Sequence, residues 1–218
     1  MVLKVTIKPN KNIVVIYHSA DYDGHASGAL LKYALGDVTL VPMNYGYDVP
    51  WDIMEGAEVY MADFSMQPVE DMKRLQETAS KLVWLDHHFS TIQAVYDKYP
   101  EMKDLDGARD KNFSGCELTW TYLYPSKKMP LWLQLLGRYD VWDHSDEEKW
   151  EGVIRPFQLG MQLYDSRPDV NWSFWQELIN RGTVNGRRID QVMDDGTIID
   201  KYKKSENSKL SSKMTRGQ

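Results

Sequence analysis

A chain of 218 residues with 42% hydrophobic content is long enough to bury a sizeable core, which excludes a wholly disordered polymer. Its formal net charge of −6 supplies no global field for clamping long duplex DNA, although a locally basic groove is compatible with it. Cys116 is the single cysteine, so an internal disulfide is excluded; Met1 to Asn10 lack the apolar core of a signal peptide and no run reaches bilayer-spanning length, so the expected setting is the cytoplasm, with no membrane partner.

Ile13 to Tyr17 is a β-branched run that reads as a central strand, ending at His18 and followed by Asp21, Asp23 and Gly24. From Gly24 to Leu35 the pattern is helical, with small residues in the opening turn and Gly36 as its stop. Val38 to Met43 supplies a second strand and Asn44 to Trp51 a loop carrying Tyr45 and Tyr47. A third strand, Ala57 to Ala62, stops at Asp63. A helix is predicted from Pro68, and the apolar run from Leu82 to Leu85 ends at Asp86, His87 and His88. Ser90-Thr-Ile-Gln and Ser114-Gly-Cys-Glu both have the capping-box pattern and predict helix starts. Strands alternating with helices predict an α/β fold: a doubly wound, mostly parallel sheet with helices on both faces.

In such a sheet the carboxyl ends of the strands share one edge, so His18, Asp21, Asp23, Asp63, Asp86 and His87 are expected to converge. Four or more carboxylates in one cleft require protonation or cations. The mixed imidazole and carboxylate set favours Mn²⁺, with Mg²⁺, Co²⁺ or Fe²⁺ as alternatives, and the ligand count suggests two ions. Asp63, alone at its strand end, is the candidate bridge between ions roughly 3.5–4 Å apart. His88, predicted to face away from His87 on an extended backbone, is placed to bind phosphate or to donate a proton to a leaving oxygen.

The stretches His18-Ser-Ala-Asp21-Tyr-Asp23-Gly24, Ala62-Asp63-Phe64-Ser65, Asp86-His87-His88 and Gly137-Arg138-Tyr139-Asp140 together resemble the four motifs of the DHH phosphoesterases, a family of RecJ-type exonucleases, oligoribonucleases, cyclic-dinucleotide phosphodiesterases and family II pyrophosphatases. The resemblance covers roughly residues 12 to 145. It implies that His18, Asp21 and Asp63 hold one manganese, that Asp23, Asp63, His87 and Asp140 hold the other, that His88 contacts phosphate and that Asp86 supports the site. His18 stands three residues before Asp21, where many members place it four before, and the family's second, glycine-rich substrate domain has no visible counterpart.

Other residues keep two readings. His25 reaches phosphate from the helix start, or caps and packs; Arg109 clamps phosphate from a mobile loop, or is a solvated charge. Tyr45, Tyr47 and Trp51 stack on bases or pack their loop down, and Cys116 is a small buried hydrophobe. Domain expectations are a catalytic unit over 1–145, a helical extension over 146–204 with a helix from Pro168 closed by Gly182, and a disordered tail over 205–218. The expected activity is two-metal hydrolysis of nucleotides or short single-stranded oligonucleotides by a metal-bridged hydroxide. The alternatives are a pyrophosphatase or polyphosphatase, or a non-catalytic nucleotide or nucleic-acid binding module; the oligomeric state is left open.

Overall fold

Apolar segments that carry few side chains able to face water form the centre of a five-stranded parallel sheet, because only burial on both faces accommodates them. The computed structural model describes residues 12–215, so Met1 to Asn10, read as lacking the apolar core of a signal peptide, lie outside the described residues. In chain order the elements are β1 (Ile13–His18), α1 (Tyr22–Leu35), β2 (Thr39–Met43), α2 (Trp51–Met54), β3 (Glu58–Ala62), α3 (Glu70–Thr78), β4 (Lys81–Asp86), α4 (Phe89–Lys98) and β5 (Asp106–Arg109). The strands lie in the order β2-β1-β3-β4-β5, all parallel. The direction of winding reverses beside β1, and the crevice at that reversal is where open α/β sheets place ligands.

Side-chain alternation explains why the strands read as continuous apolar runs. Val14, Ile16, Val59, Met61 and Trp84 pack with Met72 and Leu75 of α3 and Ile92 and Val95 of α4. The alternate residues Val15, Tyr60, Ala62, Val83 and Leu85 pack on the other face with Leu31 of α1. The expected fold class is therefore what the chain adopts, with helices on both faces.

After β5 come α5 (Gly115–Leu123), α6 (Leu131–Asp140), α7 (Glu147–Lys149), a π-helical turn at Trp150–Ile154, α8 (Arg155–Met161), α9 (Trp172–Arg181), the hairpin β6 (Thr183–Val184) and β7 (Arg187–Arg188), and α10 (Ile189–Thr215). Asn185 and Gly186, both at positive φ, make the tight turn of that hairpin. Ala26 and Leu30 of α1, Trp132 and Leu136 of α6, Phe157 of α8 and Trp175 of α9 share one buried cluster, so the C-terminal helices pack on the outer side of α1.

Four expectations need correction. Gly107 to Arg109, read as loop, belong to β5, which adds to the sheet beside β4. Ser90 does not cap α4: His88 occupies the N-cap and no side chain caps that end, whereas the Ser114 box is present with both of its hydrogen bonds. The helix expected from Pro168 starts at Trp172, with Gly182 as its left-handed stop. The tail expected to be disordered from Ser205 continues α10 as helix to Thr215, with the last three residues outside the description. Among the described residues no helix is long and apolar enough to cross a membrane.

Candidate metal centre

Strand register brings the centre together. Tyr17 pairs with Ala62 and Ala62 with Leu85, so the next residue on each of three adjacent strands, His18, Asp63 and Asp86, stands at one level. Asp63 still donates its backbone N–H to the Leu85 carbonyl at 2.8 Å, then leaves the sheet with φ 53°. Only residues such as Asp, Asn and Gly visit that left-handed region readily, and strained positions of this kind cluster at functional sites.

Two side-chain triads meet at Asp63. Its Oδ2 lies 3.6 Å from His18 Nδ1, which is 3.3 Å from Asp21 Oδ2. Its Oδ1 lies 3.2 Å from His87 Nε2, which is in turn 3.2 Å from Asp140 Oδ2 and 3.7 Å from Asp23 Oδ2. Ligand atoms of His18, Asp21 and Asp63 fall within 4.8 Å of one another, as do those of Asp23, His87 and Asp140. Both oxygens of Asp63 and both ring nitrogens of His18 are buried without a directed hydrogen-bond partner. Unpaired buried polar atoms are rare because each costs on the order of 1–3 kcal/mol. A donor set of imidazole nitrogens and carboxylate oxygens with such orphaned atoms fits divalent cations.

The electrostatics give the same reading. Burial, then the charges of Asp23 and Asp21, push the Asp63 carboxyl well above its ordinary range. Burial, Asp23 and Asp63 push Asp140 up to about 9. At His18, burial opposes protonation but is outweighed by Asp21 and Asp63, which raise it to about 10. A carboxyl whose pKa is raised on folding loses stability as pH climbs from its unfolded value, and a raised imidazole does the same above 6.5. Metal-free protein is therefore expected to melt at progressively lower temperature between about pH 6.5 and about pH 9. Mn²⁺ should reverse the trend, because it binds the deprotonated ligands. Differential scanning fluorimetry across that window with and without Mn²⁺ checks both signs.

The α5 N-terminus holds the acidic wall in place. Asp23 accepts the backbone N–H of Gly115 at 2.6 Å and of Cys116 at 2.8 Å, where the positive end of the helix favours a carboxylate. Gly115 has to be glycine: a Cβ there would lie 2.5 Å from Asp63 Cβ and 2.8 Å from its Oδ1. Gly115→Ala is expected to displace Asp63, weakening Mn²⁺ affinity about tenfold or more by calorimetry, since holding a ligand in place by its surroundings is worth 10–100-fold.

Asp86 and His88 form a second unit. The Asp86 carboxylate accepts the backbone N–H of His87 at 2.8 Å and of His88 at 3.1 Å, the Trp84 indole N–H at 3.3 Å and the Ser65 hydroxyl. Burial alone would raise this carboxyl, but the hydrogen bonds from His88 and its neighbours hold it below the usual range. His88 Nδ1 is 2.7 Å from Asp86 Oδ1, an arrangement in which Nδ1–H donates to the carboxylate and Nε2 is left for other partners. That bond, against the opposing effect of burial, raises the His88 pKa. The expectation that His87 and His88 point apart is wrong: their rings lie 4.5 Å apart and His88 Nδ1 comes within 3.9 Å of Asp63. The strand ends at Asp86 and α4 begins at Phe89, so side-chain alternation stops between them.

All six expected metal ligands thus stand in the cluster, with His88 and Asp86 beside it. The two expected phosphate-binding residues have their polar atoms engaged by other partners. His25, 8% exposed, spends both ring nitrogens on Ser166 Oγ at 2.8 Å and the Ser19 carbonyl at 3.1 Å, tying the β1–α1 loop to the α8–α9 connection. Arg109 directs its guanidinium to the Tyr96 hydroxyl and to the carbonyls of Trp84, Lys103, Leu105 and Asp106, so all five N–H groups are occupied within its own neighbourhood. Trp51 packs its loop down under Arg74, 3.9 Å from the ring, while Tyr45 stacks on Phe64 and lies 5.8 Å from the His18 ring. Sequence reasoning missed Ser65, Gly115 and the N–H pair of α5. The Ser114 capping box was the available signal for that helix start, but not for its position against Asp23.

Fold and site together define an α/β protein with a shared acid and imidazole cluster at the carboxyl edge of a parallel sheet. No family model matches the chain. It is similar to an uncharacterized protein of Acanthamoeba polyphaga mimivirus, 23% identical over 212 residues that cover 90% of this chain and 46% of that relative. The chain therefore spans about half the length of the curated relative it matches.

Proposed function

We propose that the chain is a DHH-type, RecJ-like or oligoribonuclease-like phosphoesterase that uses two divalent cations, Mn²⁺ by preference, to hydrolyse phosphate esters of nucleotides or short single-stranded oligonucleotides. The observation that carries this reading is Asp63, whose two buried, unpartnered oxygens each face a different triad. His18, Asp21 and Asp63 would hold one cation, and Asp23, Asp63, His87 and Asp140 the other. Bound there, the cations supply neutralisation of phosphoryl charge and lower the pKa of water.

The chain's own groups do the positioning. The β3–β4 ladder and the Gly115 contact fix Asp63, and two N–H groups of α5 fix Asp23. Asp86 orients His88 through Nδ1 and favours its protonated form, in which Nε2–H would be the proton donor to the leaving oxygen.

A panel of bis(p-nitrophenyl) phosphate, pAp, dinucleotides and pyrophosphate, each with Mn²⁺, Mg²⁺ or Co²⁺, tests the reading. Mn²⁺-dependent ester cleavage is the expected outcome. Cleavage of pyrophosphate alone would replace it with the pyrophosphatase alternative, and binding without turnover would replace it with a nucleotide or nucleic-acid binding module.

A further inference from the structure

We propose that a groove along the loop between β5 and α5 binds single-stranded nucleic acid, stacking bases on Phe89, Phe113 and Trp142 and holding a phosphate with Lys111. These rings are 55%, 46% and 65% exposed, where large aromatics are ordinarily covered. Each adjoins the metal centre in sequence: Phe89 follows His88, Phe113 stands two before Gly115, and Trp142 stands two after Asp140.

The three are linked in space as well. One cleft is lined by Phe89 and Lys111 and a second by Lys111, Arg138 and Trp142, with Lys111 and Asn112 common to both. Lys111 Nζ sits 5.1 Å over the Phe89 ring and the Arg138 guanidinium 5.7 Å over the Phe113 ring. Trp142 holds its exposed position at φ 56°, a conformation that costs a bulky residue energy, with its ring braced 5.1 Å from Trp150.

Aromatic faces with an interleaved cation are what an extended single strand uses, because every base has a π-face and every linkage a negative charge. The acids nearby are already engaged: Asp110 with Asn112, and Asp143 with Ser145 and Arg138. Arg138 is committed to Glu117, which leaves Lys111 to meet phosphate. This inference deepens the phosphoesterase reading by naming where a strand longer than one nucleotide lies.

The test uses the full chain in EDTA, so that no cleavage intervenes, with labelled oligothymidylate and oligouridylate followed by fluorescence anisotropy. Both oligomers are expected to bind more tightly than their mononucleotides. Phe89→Ala, Phe113→Ala and Trp142→Ala should each weaken them roughly 5- to 150-fold. Lys111→Gln should lower the slope of log affinity against log salt by about 0.7, a readout that a folding defect would not mimic. Preference for one oligomer identifies DNA or RNA as the strand. Equal affinity of wild type and all variants, or mononucleotides competing as well as oligomers, would overturn the groove even if bis(p-nitrophenyl) phosphate is still hydrolysed. Aromatic-dependent binding without metal-dependent hydrolysis would leave the groove standing and remove the phosphoesterase reading.

Discussion

Asp63→Asn is expected to reduce Mn²⁺-dependent phosphodiester cleavage by about a thousandfold or more, while raising the melting temperature of the metal-free protein. Both effects come from the same two oxygens. Charge stabilisation by a metal pair is worth several kcal/mol, and each 1.36 kcal/mol is about tenfold in rate. Asn keeps the shape but lacks the second anionic donor, so one of the two proposed cations would lose its shared ligand. Without metal, that carboxylate is a fully buried charge facing Asp23 and Asp21, which is why its pKa is driven up. Replacing it by a neutral isostere removes the repulsion, and Asn tolerates the left-handed backbone at φ 53°. Opposite signs in a rate assay and a metal-free melt are the diagnostic pair; loss of both activity and stability would point to a structural role instead.

The second large effect belongs to His88. His88→Gln is expected to lower turnover roughly 10²- to 10⁴-fold, the usual range for a positioned proton donor, with Mn²⁺ affinity changed far less than by Asp63→Asn. Asp86→Asn should act through His88. The hydrogen bond from Nδ1 to Asp86 is the largest cause of the raised His88 pKa, so its loss lowers that pKa. A proton donor is active below its pKa, so the alkaline limb of the rate profile should move to lower pH in the Asp86→Asn variant. An unchanged limb would mean that His88 does not donate the proton.

Much of the cluster was legible because three apolar runs each stop at an acid or an imidazole, and parallel pairing puts consecutive strand ends at one level. His18, Asp63 and Asp86 follow directly from that. Asp140 is on α6 rather than at a strand end, and only the motif resemblance pointed to it. What sequence could not show was who answers each polar group. His25 finds Ser166, far along the chain, and Arg109 finds four carbonyls nearby in the fold, so two residues with phosphate-binding chemistry are already spoken for. The β5 strand was hidden because Asp106 and Arg109 bound it and glycine interrupts it, leaving no apolar run to read. The tail misled for a related reason. Polar composition looked unstructured, yet ion pairs one turn apart, such as Lys209 with Glu206, suit a solvated helix.

Everything rests on two cations sharing Asp63. The most direct test is titration of metal-free protein with Mn²⁺ followed by electron paramagnetic resonance. Two ions per chain are expected, with a spin-coupled signal as for a separation of roughly 3.5–4 Å, and with the coupling lost in Asp63→Asn. A chain that binds no Mn²⁺ in this cluster, or two ions whose signals are uncoupled, would contradict a shared Asp63.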